Sequence, residues 1–240
     1  MSELYRDSGV VLRTYKLREA DRIVVLLTAA NGKVRAVAKG VRKTRSKFGA
    51  RLEPMSHVRV LLVRGRELDI VSQAESVEPL SPMLSSLDRA SQGLAVLEAA
   101  EQLSLEREPN PDLYRMVVGA MRAIAERPAP LTVAGFYWKL LASEGMRPEL
   151  DTCVRCGGTE PEVAFVAFDL GEGGVLCRSC RSGHPMSAEA LEAVRDILGG
   201  RLAKALAMEE SAVTHEVSLL ATHALEYHVE RRMRTVAMFE

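Results

Sequence analysis

The first 80 residues alternate short apolar runs with turn residues, a pattern typical of short β-strands. Asn31-Gly32 lies between two runs and predicts a hairpin, because both residues tolerate a positive φ. Five strands in so short a stretch favour a closed barrel, which leaves no strand edge unpaired. We expect an OB-fold, although strand number does not separate it from an SH3-like barrel. The predicted strands are 10–12, 23–27, 34–38, 58–63 and 68–71.

From Ser81 onward the apolar residues recur at helical spacing. Ser81-Pro82 predicts a capped helix start, and Asn110-Pro111-Asp112 predicts a second. Prolines at 128 and 130 end that helix, and further helices are expected near 133–145, over 187–197 and over 213–234. The stripe predicted to face the core of the first helix consists of Leu84, Leu87, Leu94, Leu97 and Leu103. The fold class is therefore α+β multidomain, a five-stranded barrel followed by a helical domain.

Charge is unevenly distributed in a chain whose formal net charge is zero. Residues 1–80 carry 16 Lys and Arg against 9 Asp and Glu, and the other residues carry the opposite excess. From Arg22 through Leu52 there are nine basic residues and no acid. This segregation indicates a basic N-terminal module that binds a polyanion, with a solvated surface loop as the alternative.

The basic residues continue from the third predicted strand into the loop after it. Alternate residues of a strand share a face, so several cations project together. Nucleic acid is the polyanion expected here, because neutralised phosphates release condensed counterions. The candidate nucleic-acid-binding residues are Lys33, Arg35, Lys39, Arg42, Lys43, Arg45, Lys47 and Arg51.

All four cysteines fall in one pattern, Cys153-x2-Cys156 followed by Cys177-x2-Cys180. Two such pairs supply the four thiolates of a tetrahedral zinc site. We predict one structural Zn²⁺ per chain, because four thiolates leave no open position for catalysis. Two disulfides or a redox pair would need an oxidising compartment or a thioredoxin-like context that the sequence does not indicate. His184 is a less favoured substitute ligand.

No catalytic pattern in the sequence rises above chance. The sequence lacks a phosphate-cradling G-x-x-x-x-G-K-[ST] loop and a G-x-S-x-G nucleophile motif. Glu226 lies one helical turn after His223, but one His and one Glu make neither a metal site nor a triad. The chain is therefore expected not to be an enzyme.

The N-terminal third resembles the RecO family of bacterial recombination mediators. The residues that carry the resemblance are the run 32–43, Arg45-Ser46-Lys47-Phe48, Leu52-Glu53-Pro54, Gly9-Val10-Val11-Leu12, Glu19-Ala20-Asp21-Arg22-Ile23-Val24 and Leu27-Thr28. The resemblance extends over essentially the whole chain. It divides the chain into an OB-fold (1–80), a helical domain in two parts (81–150 and 185–240) and a four-cysteine zinc element inserted between them (151–184).

The resemblance implies a non-enzymatic protein of recombinational DNA repair. Such a protein binds single- and double-stranded DNA, anneals complementary strands, partners RecR and helps to load RecA onto strands coated by single-strand-binding protein. The N-terminus lacks a secretory signal, and no apolar run reaches the roughly 20 residues that span a bilayer. We therefore expect a cytoplasmic, nucleoid-associated protein without a membrane partner.

Residues 1–80 contain only three aromatic residues, Tyr5, Tyr15 and Phe48. OB-folds that prefer single strands stack bases on aromatic rings, so this barrel is poorly equipped for stacking. We expect phosphate-directed binding that tolerates sequence and strandedness, with Phe48 either stacking on a base or lying in the core. An RNA-binding or ribosome-associated protein is the alternative function, and a metal-dependent enzyme that acts on nucleic acid would need carboxylate or His ligands that the sequence does not assemble.

Overall fold

The computed structural model describes residues 3–233 and residue 235. The chain divides into two units, residues up to 126 and residues from 127 onward. The domain boundaries after residues 80, 150 and 184 stay a prediction. None of the helices in the described part of the chain is both long and apolar enough to cross a membrane.

A closed barrel occupies the first part of the first unit. Its strands are β1 (Leu4–Leu17), β2 (Asp21–Thr28), β3 (Gly32–Ala38), β4 (His57–Val63) and β5 (Asp69–Ser76). The long β1 pairs with both β2 and β4, and β3 runs parallel to β5, which gives the order β1-β2-β3-β5-β4. This is an OB-like barrel, as predicted.

The β2–β3 hairpin forms at the predicted Asn31-Gly32 turn. Gly32 has φ of +64°, and a Cβ at this position would lie 2.0 Å from the carbonyl oxygen of Glu108, so only glycine fits. The buried Asp7 carboxylate accepts a 2.7 Å hydrogen bond from the Asn31 amide and further bonds from the Ala30 N–H. The turn is therefore fixed from the barrel wall as well as by its own residues.

The barrel core is closed by a 3₁₀ helix, Gly49–Leu52, which follows the loop after β3. Phe48 and Leu52 are each 1% exposed and join the apolar interior. The other buried members are Val11, Val24, Leu26, Val34, Ala36, Ala38, Val41, Val58, Val60, Leu62 and Val71. Inward residues of β3 and β4 alternate with exposed or half-buried ones, as a strand period of two requires.

Asp69 at the start of β5 is a fully buried carboxylate. It accepts hydrogen bonds from the Tyr5 hydroxyl, from the Gly65 N–H (2.9 Å) and from Arg107 Nη2 (2.9 Å). Burial alone would raise the pKa of Asp69, but these donors together lower it below the ordinary value. The charge is retained inside the barrel because three donors replace its water.

Two helices complete the first unit, α1 (Leu87–Leu103) and α2 (Pro111–Glu126). The predicted start of α1 at Ser81-Pro82 is wrong. The helix is capped by Ser86, whose hydroxyl accepts from the Arg89 N–H, and 81–85 form turns. Asn110 caps α2 as predicted, because its side-chain oxygen accepts a 2.9 Å bond from the Leu113 N–H.

The core face of α1 also differs from the prediction. Leu97 is buried, but Leu84, Leu87 and Leu94 are 59%, 74% and 40% exposed. The buried face consists mainly of small residues, Gly93, Ala95, Val96, Ala99 and Ala100. A Cβ at Gly93 would lie 2.6 Å from Met83 Cε and 2.8 Å from Met55 Sδ, so the helix is packed too closely there for larger side chains.

The second unit is a helical cluster with a small sheet. Its helices are α3 (Thr132–Ser143), α4 (Ala188–Leu198), α5 (Leu202–Leu206) and α6 (Ala212–Val229). Its strands are β6 (Phe165–Asp169), β7 (Gly174–Cys177) and β8 (His184–Pro185). α3 packs against α4 and α6, so the cysteine-bearing sheet is inserted in sequence between helices that contact one another.

Two details of these helices depart from the sequence analysis. Ser187 caps α4 as predicted, but the short α5 has no counterpart among the predicted helices. The last helix ends at Val229, because Glu230 adopts a left-handed conformation with φ of +51°. Its predicted end at Arg234 lies outside the described residues.

Candidate nucleic-acid interface and metal centre

The basic loop follows β3 and is fixed at its base by the β1–β2 turn. The Gly40 N–H donates a 2.7 Å hydrogen bond to Asp21 Oδ1. Arg42 donates from its backbone to the Ala20 carbonyl (3.0 Å) and from Nη1 to the Glu19 carbonyl (2.7 Å). The loop therefore starts from a defined conformation, although its side chains point to solvent.

Six of the predicted DNA-binding residues form one exposed group, which we call the basic loop cluster. They are Lys39, Arg42, Lys43, Arg45, Lys47 and Arg51. In the part of the chain that the structure describes, none of the six pairs with a carboxylate, and the side chains of Lys39, Lys43 and Arg45 have no hydrogen-bond partner. Their positive charge is therefore available to an external anion.

Lys47 and Arg51 are exposed but hold the loop on the barrel. Lys47 Nζ donates to the Ser72 carbonyl (2.8 Å) and lies 5.0 Å from the Phe48 ring centroid. Arg51 Nη1 donates to the carbonyls of Lys47 (3.1 Å) and Phe48 (3.2 Å). Both cations combine a structural contact with an uncompensated charge.

Lys33 and Arg35 share the outer face of β3, as predicted, but they are engaged within the protein. Lys33 Nζ is half-buried and donates a 2.9 Å hydrogen bond to the Glu101 carbonyl in the last turn of α1. Burial lowers the pKa of Lys33. Arg35 lies 3.7 Å from the Glu106 carboxylate. Lys33 thus hydrogen-bonds a carbonyl in the last turn of α1 that also accepts from the Ser104 hydroxyl, and neither Lys33 nor Arg35 belongs to the uncompensated group.

Phe48 lies in the barrel core, and its ring is therefore not offered to a base. Of the other two aromatic residues of the barrel, Tyr5 hydrogen-bonds Asp69, and burial raises its pKa. Tyr15 is 42% exposed, beside the Arg13 guanidinium. The described barrel surface has no series of exposed rings on which successive bases could stack.

A surface groove of about 610 Å³ adjoins the basic loop cluster. It is lined by Lys47, Phe48 and Arg51 on one side and by the end of β5, Ser72–Ser76, on the other. The β5 residues of this wall were not among the candidate site residues, because the predicted strand ends at residue 71. The polar run Ser72-Gln73 and Glu75-Ser76 was the available signal that this end of the strand is exposed.

The four cysteines converge in the second unit. Their sulfur atoms all lie within 4.8 Å of one another, and Cys156 Sγ and Cys177 Sγ are 3.8 Å apart. A tetrahedron with metal–sulfur bonds of about 2.3 Å has edges of about 3.8 Å, so the donor set fits a tetrahedral ion. All four are free thiols, which disagrees with the disulfide alternative. This cluster can hold a metal ion.

The local fold of the first cysteine pair is set by main-chain bonds. The Cys153 N–H donates to the Gly158 carbonyl and the Gly157 N–H to the Cys153 carbonyl, each at 2.8 Å. Gly157 has φ of +74°, a backbone conformation that favours glycine at this position of the turn. The Cys177 N–H donates to Cys153 Sγ at 3.4 Å. Burial alone would raise the pKa of Cys153, but backbone N–H donors lower it below the ordinary thiol value.

Arg155 joins the two cysteine pairs. Its Nη1 donates to the Cys180 carbonyl (2.9 Å), and its Nη2 donates to Glu172 (2.6 Å) and to the Ser182 hydroxyl (3.0 Å). His184 lies in β8 with its ring centroid 4.9 Å from that of His223, and it is outside the cysteine cluster. Cysteine is therefore the only ligand type brought together at this site within the described residues.

Other exposed arginines lie in the second unit. Arg178 and Arg181 are exposed next to the cysteine cluster, and Arg231 and Arg232 are exposed after α6. These residues are the alternative basic surface if the loop does not bind DNA, and Arg234 of that group lies outside the described residues.

Two family models and a named relative match nearly the whole chain. The family model "Recombination protein O N terminal" matches residues 1–80, and "Recombination protein O C terminal" matches residues 84–237. A protein of Nocardioides sp. (strain ATCC BAA-499 / JS614), named DNA repair protein RecO, is 43% identical over 244 residues. The alignment spans 99% of this chain and 99% of that protein.

Proposed function

Because this chain belongs to the RecO family, we propose that it is a DNA-binding protein of recombinational repair. It binds single- and double-stranded DNA and anneals complementary strands. With RecR it helps to load RecA onto strands covered by single-strand-binding protein. It acts in the cytoplasm, at the nucleoid, and without catalysing a chemical step.

The observation that carries this proposal is the basic loop cluster. Its six cations have no carboxylate partner among the described residues, and the loop is fixed by Asp21, Glu19 and Ala20 before any ligand binds. A fixed loop loses less conformational entropy on binding than a mobile one. Phosphates are the anions that such a row of cations neutralises at successive positions along a strand.

The aromatic residues support binding without base preference. With Phe48 buried and Tyr5 hydrogen-bonded inside the barrel, phosphate contacts have to supply most of the affinity. Phosphate contacts position a strand but carry no sequence information. A protein that binds both single strands and their duplex product in this way is suited to annealing.

We propose that the cysteine cluster holds one structural Zn²⁺. Four sulfur donors at tetrahedral spacing match the preference of zinc, and complete ligation by thiolate leaves no position for a reacting water. The ion would join the Cys153–Cys156 turn to β7 and to the turn after it, and so fix these parts of the chain relative to one another.

The test is the triple variant Lys39→Ala, Lys43→Ala and Arg45→Ala, whose side chains have no internal partner to lose. If each residue contacts one phosphate, the slope of log affinity against log salt should flatten by about 2 to 3 for the three contacts, and annealing should slow. Single-stranded and duplex DNA should be affected together.

The matched control is the double variant Arg178→Ala and Arg181→Ala, which removes exposed arginines of the second unit. It should retain the wild-type slope. If the triple variant is folded and keeps the wild-type salt dependence while the control variant binds DNA more weakly, the DNA-binding site lies in the second unit instead. Parallel titration with structured RNA tests the RNA-binding alternative, which predicts tighter binding of RNA than of either DNA at the same salt concentration.

A further inference from the structure

The end of β5 has a free main-chain edge. On one side β5 pairs with β4 as far as Ser76, and on the other it pairs with β3 only at Asp69 and Ile70. The Val77 N–H donates to the His57 carbonyl, so the alternation of an antiparallel pair directs the Glu75 backbone toward β4. The N–H and C=O groups of Ala74 and Ser76 therefore point away from β4, and no described residue pairs with them.

The corresponding edge of β3 differs from that of β5, because its main-chain groups are hydrogen-bonded to residues that follow α1. Beside the start of β3, the Lys33 N–H donates to the Leu105 carbonyl (3.3 Å), and the Arg107 N–H donates to the Lys33 carbonyl (2.9 Å). At β5 the only comparable contact among the described residues is the one from Lys47 Nζ to the Ser72 carbonyl. A lysine ammonium thus occupies the position of a strand N–H at one point of the edge.

The groove along this edge is positively charged. Lys47 and Arg51 on its far wall face no carboxylate, and the one acid that lines it, Glu75, lies 3.9 Å from Arg59 on β4. The side chain of Ala74 packs against the barrel core, so the strand is held in place beneath its free backbone groups. The groove offers hydrogen bonds to an extended backbone and positive charge to its side chains.

We propose that this edge binds an extended acidic peptide of a partner protein, which adds a strand to β5 and places carboxylates on Lys47 and Arg51. N–H and C=O groups that recur every two residues, about 6.8 Å apart, match the repeat of an added strand. A phosphate backbone offers only acceptors and would leave the Ala74 and Ser76 carbonyls without donors. Because Lys47 and Arg51 belong to the basic loop cluster, the peptide also competes with DNA; this competition rests on the proposed function, whereas the peptide binding does not.

The probe is a fluorescein-labelled nonapeptide that alternates Asp with Val or Thr, titrated without DNA and followed by anisotropy. The control peptide has the same sequence with every backbone amide N-methylated, so its charge is unchanged but neither of its edges can donate hydrogen bonds to a strand. We expect the first peptide to bind and the methylated one to bind at least about tenfold more weakly, because several main-chain hydrogen bonds are lost. Equal binding of the two peptides would mean attraction by charge alone and would overturn the proposal, as would no binding of either.

Two variants of Ser76 test whether the peptide binds at the β5 edge. Ser76→Pro removes one edge N–H without touching the β4 ladder and should weaken peptide binding about five- to tenfold, whereas Ser76→Ala should not. In hydrogen exchange of the wild-type protein, the peptide should protect the Ala74 and Ser76 amides and leave the Glu75 amide, already bonded to β4, unchanged. This measurement needs no variant. If oligo(dT) protects the same two amides and the peptide does not, the edge is a nucleic-acid site and the proposal is wrong.

Discussion

Replacing Phe48 tests whether the aromatic ring inside the basic loop serves the core or the ligand. The ring is 1% exposed and packs in the barrel with Leu52. Truncation of a buried Phe to Ala typically costs about 3 to 5 kcal/mol, because the transfer energy is lost and a cavity remains. Phe48→Leu keeps most of the volume and should cost less than about 1.5 kcal/mol. We therefore expect Phe48→Ala to destabilise the barrel severely and Phe48→Leu to leave it folded.

The assay has to observe the correct unit. The only Trp of the chain, Trp138, lies in α3 of the second unit, so its fluorescence reports on that unit rather than on the barrel. Unfolding of the barrel is better followed by hydrogen exchange of β2 and β3 amides in increasing urea, because a chain with two units need not unfold in one step.

DNA affinity then decides between the two roles of Phe48. A folded Phe48→Leu protein should bind single-stranded DNA within about twofold of wild type, since a buried ring gives no stacking energy, whereas a lost base stack would cost about 1 to 3 kcal/mol. If Phe48→Leu is as stable as wild type and binds single strands tenfold more weakly while duplex binding is unchanged, the ring contacts a base and its assignment to the core is wrong.

Three further predictions concern the metal, the buried carboxylate and Lys33. Elemental analysis of the wild-type protein should give one zinc per chain, and Cys153→Ser/Cys156→Ser should abolish it and destabilise the second unit while DNA affinity stays at the wild-type value. A wild-type protein without zinc, or a variant that retains it, would contradict this. Asp69→Asn should lower the barrel's unfolding free energy by about 1 to 3 kcal/mol at pH 7, because the donors of Tyr5, Gly65 and Arg107 lose a buried acceptor charge. The folded-state pKa of Asp69 is lowered, so its contribution to stability is complete above the ordinary pKa near 3.9 and is lost as pH falls through the folded-state pKa. The unfolding free energies of the wild-type protein and the Asn variant, measured in urea, should therefore begin to converge below about pH 4. Lys33→Met should raise the rate of amide exchange at the C-terminal end of α1 without changing the slope of log DNA affinity against log salt concentration. A flatter slope would mean that Lys33 contacts DNA after all.

The strands of the barrel could be predicted because each carries a strong local signal. Alternating apolar residues in β3 and β4 and the Asn31-Gly32 turn are sufficient to locate strands and a hairpin, and the resemblance to the RecO family is confirmed by both family models. The convergence of the cysteines was also predictable, since the spacing of the two pairs encodes it.

Tertiary packing decided what the sequence could not predict. Ser81 and Ser86 are both suitable cap residues, and in the structure Ser86 caps α1 while Met83 packs against Gly93 of that helix. Leu87 and Leu94 were predicted to be buried because helical periodicity alone does not show which face of α1 packs on the core. In the structure it is the face of small residues, which allows closer packing than leucine would. Lys33 resembles its neighbours in sequence, but it meets a helix end that comes 68 residues later.

The contacts of residues 101–107 with the barrel determine how the protein can be dissected. A fragment that ends at residue 80, where the first family model ends, would lose Arg107 and the Glu101 carbonyl. The buried Asp69 would then lack its cationic partner, and the Lys33 ammonium would lack its acceptor. Such a fragment should be purified as an aggregating or partly unfolded protein, whereas one that ends after α2, at Glu126, should give a dispersed NMR spectrum. Binding studies on an isolated barrel therefore require the two helices that follow it.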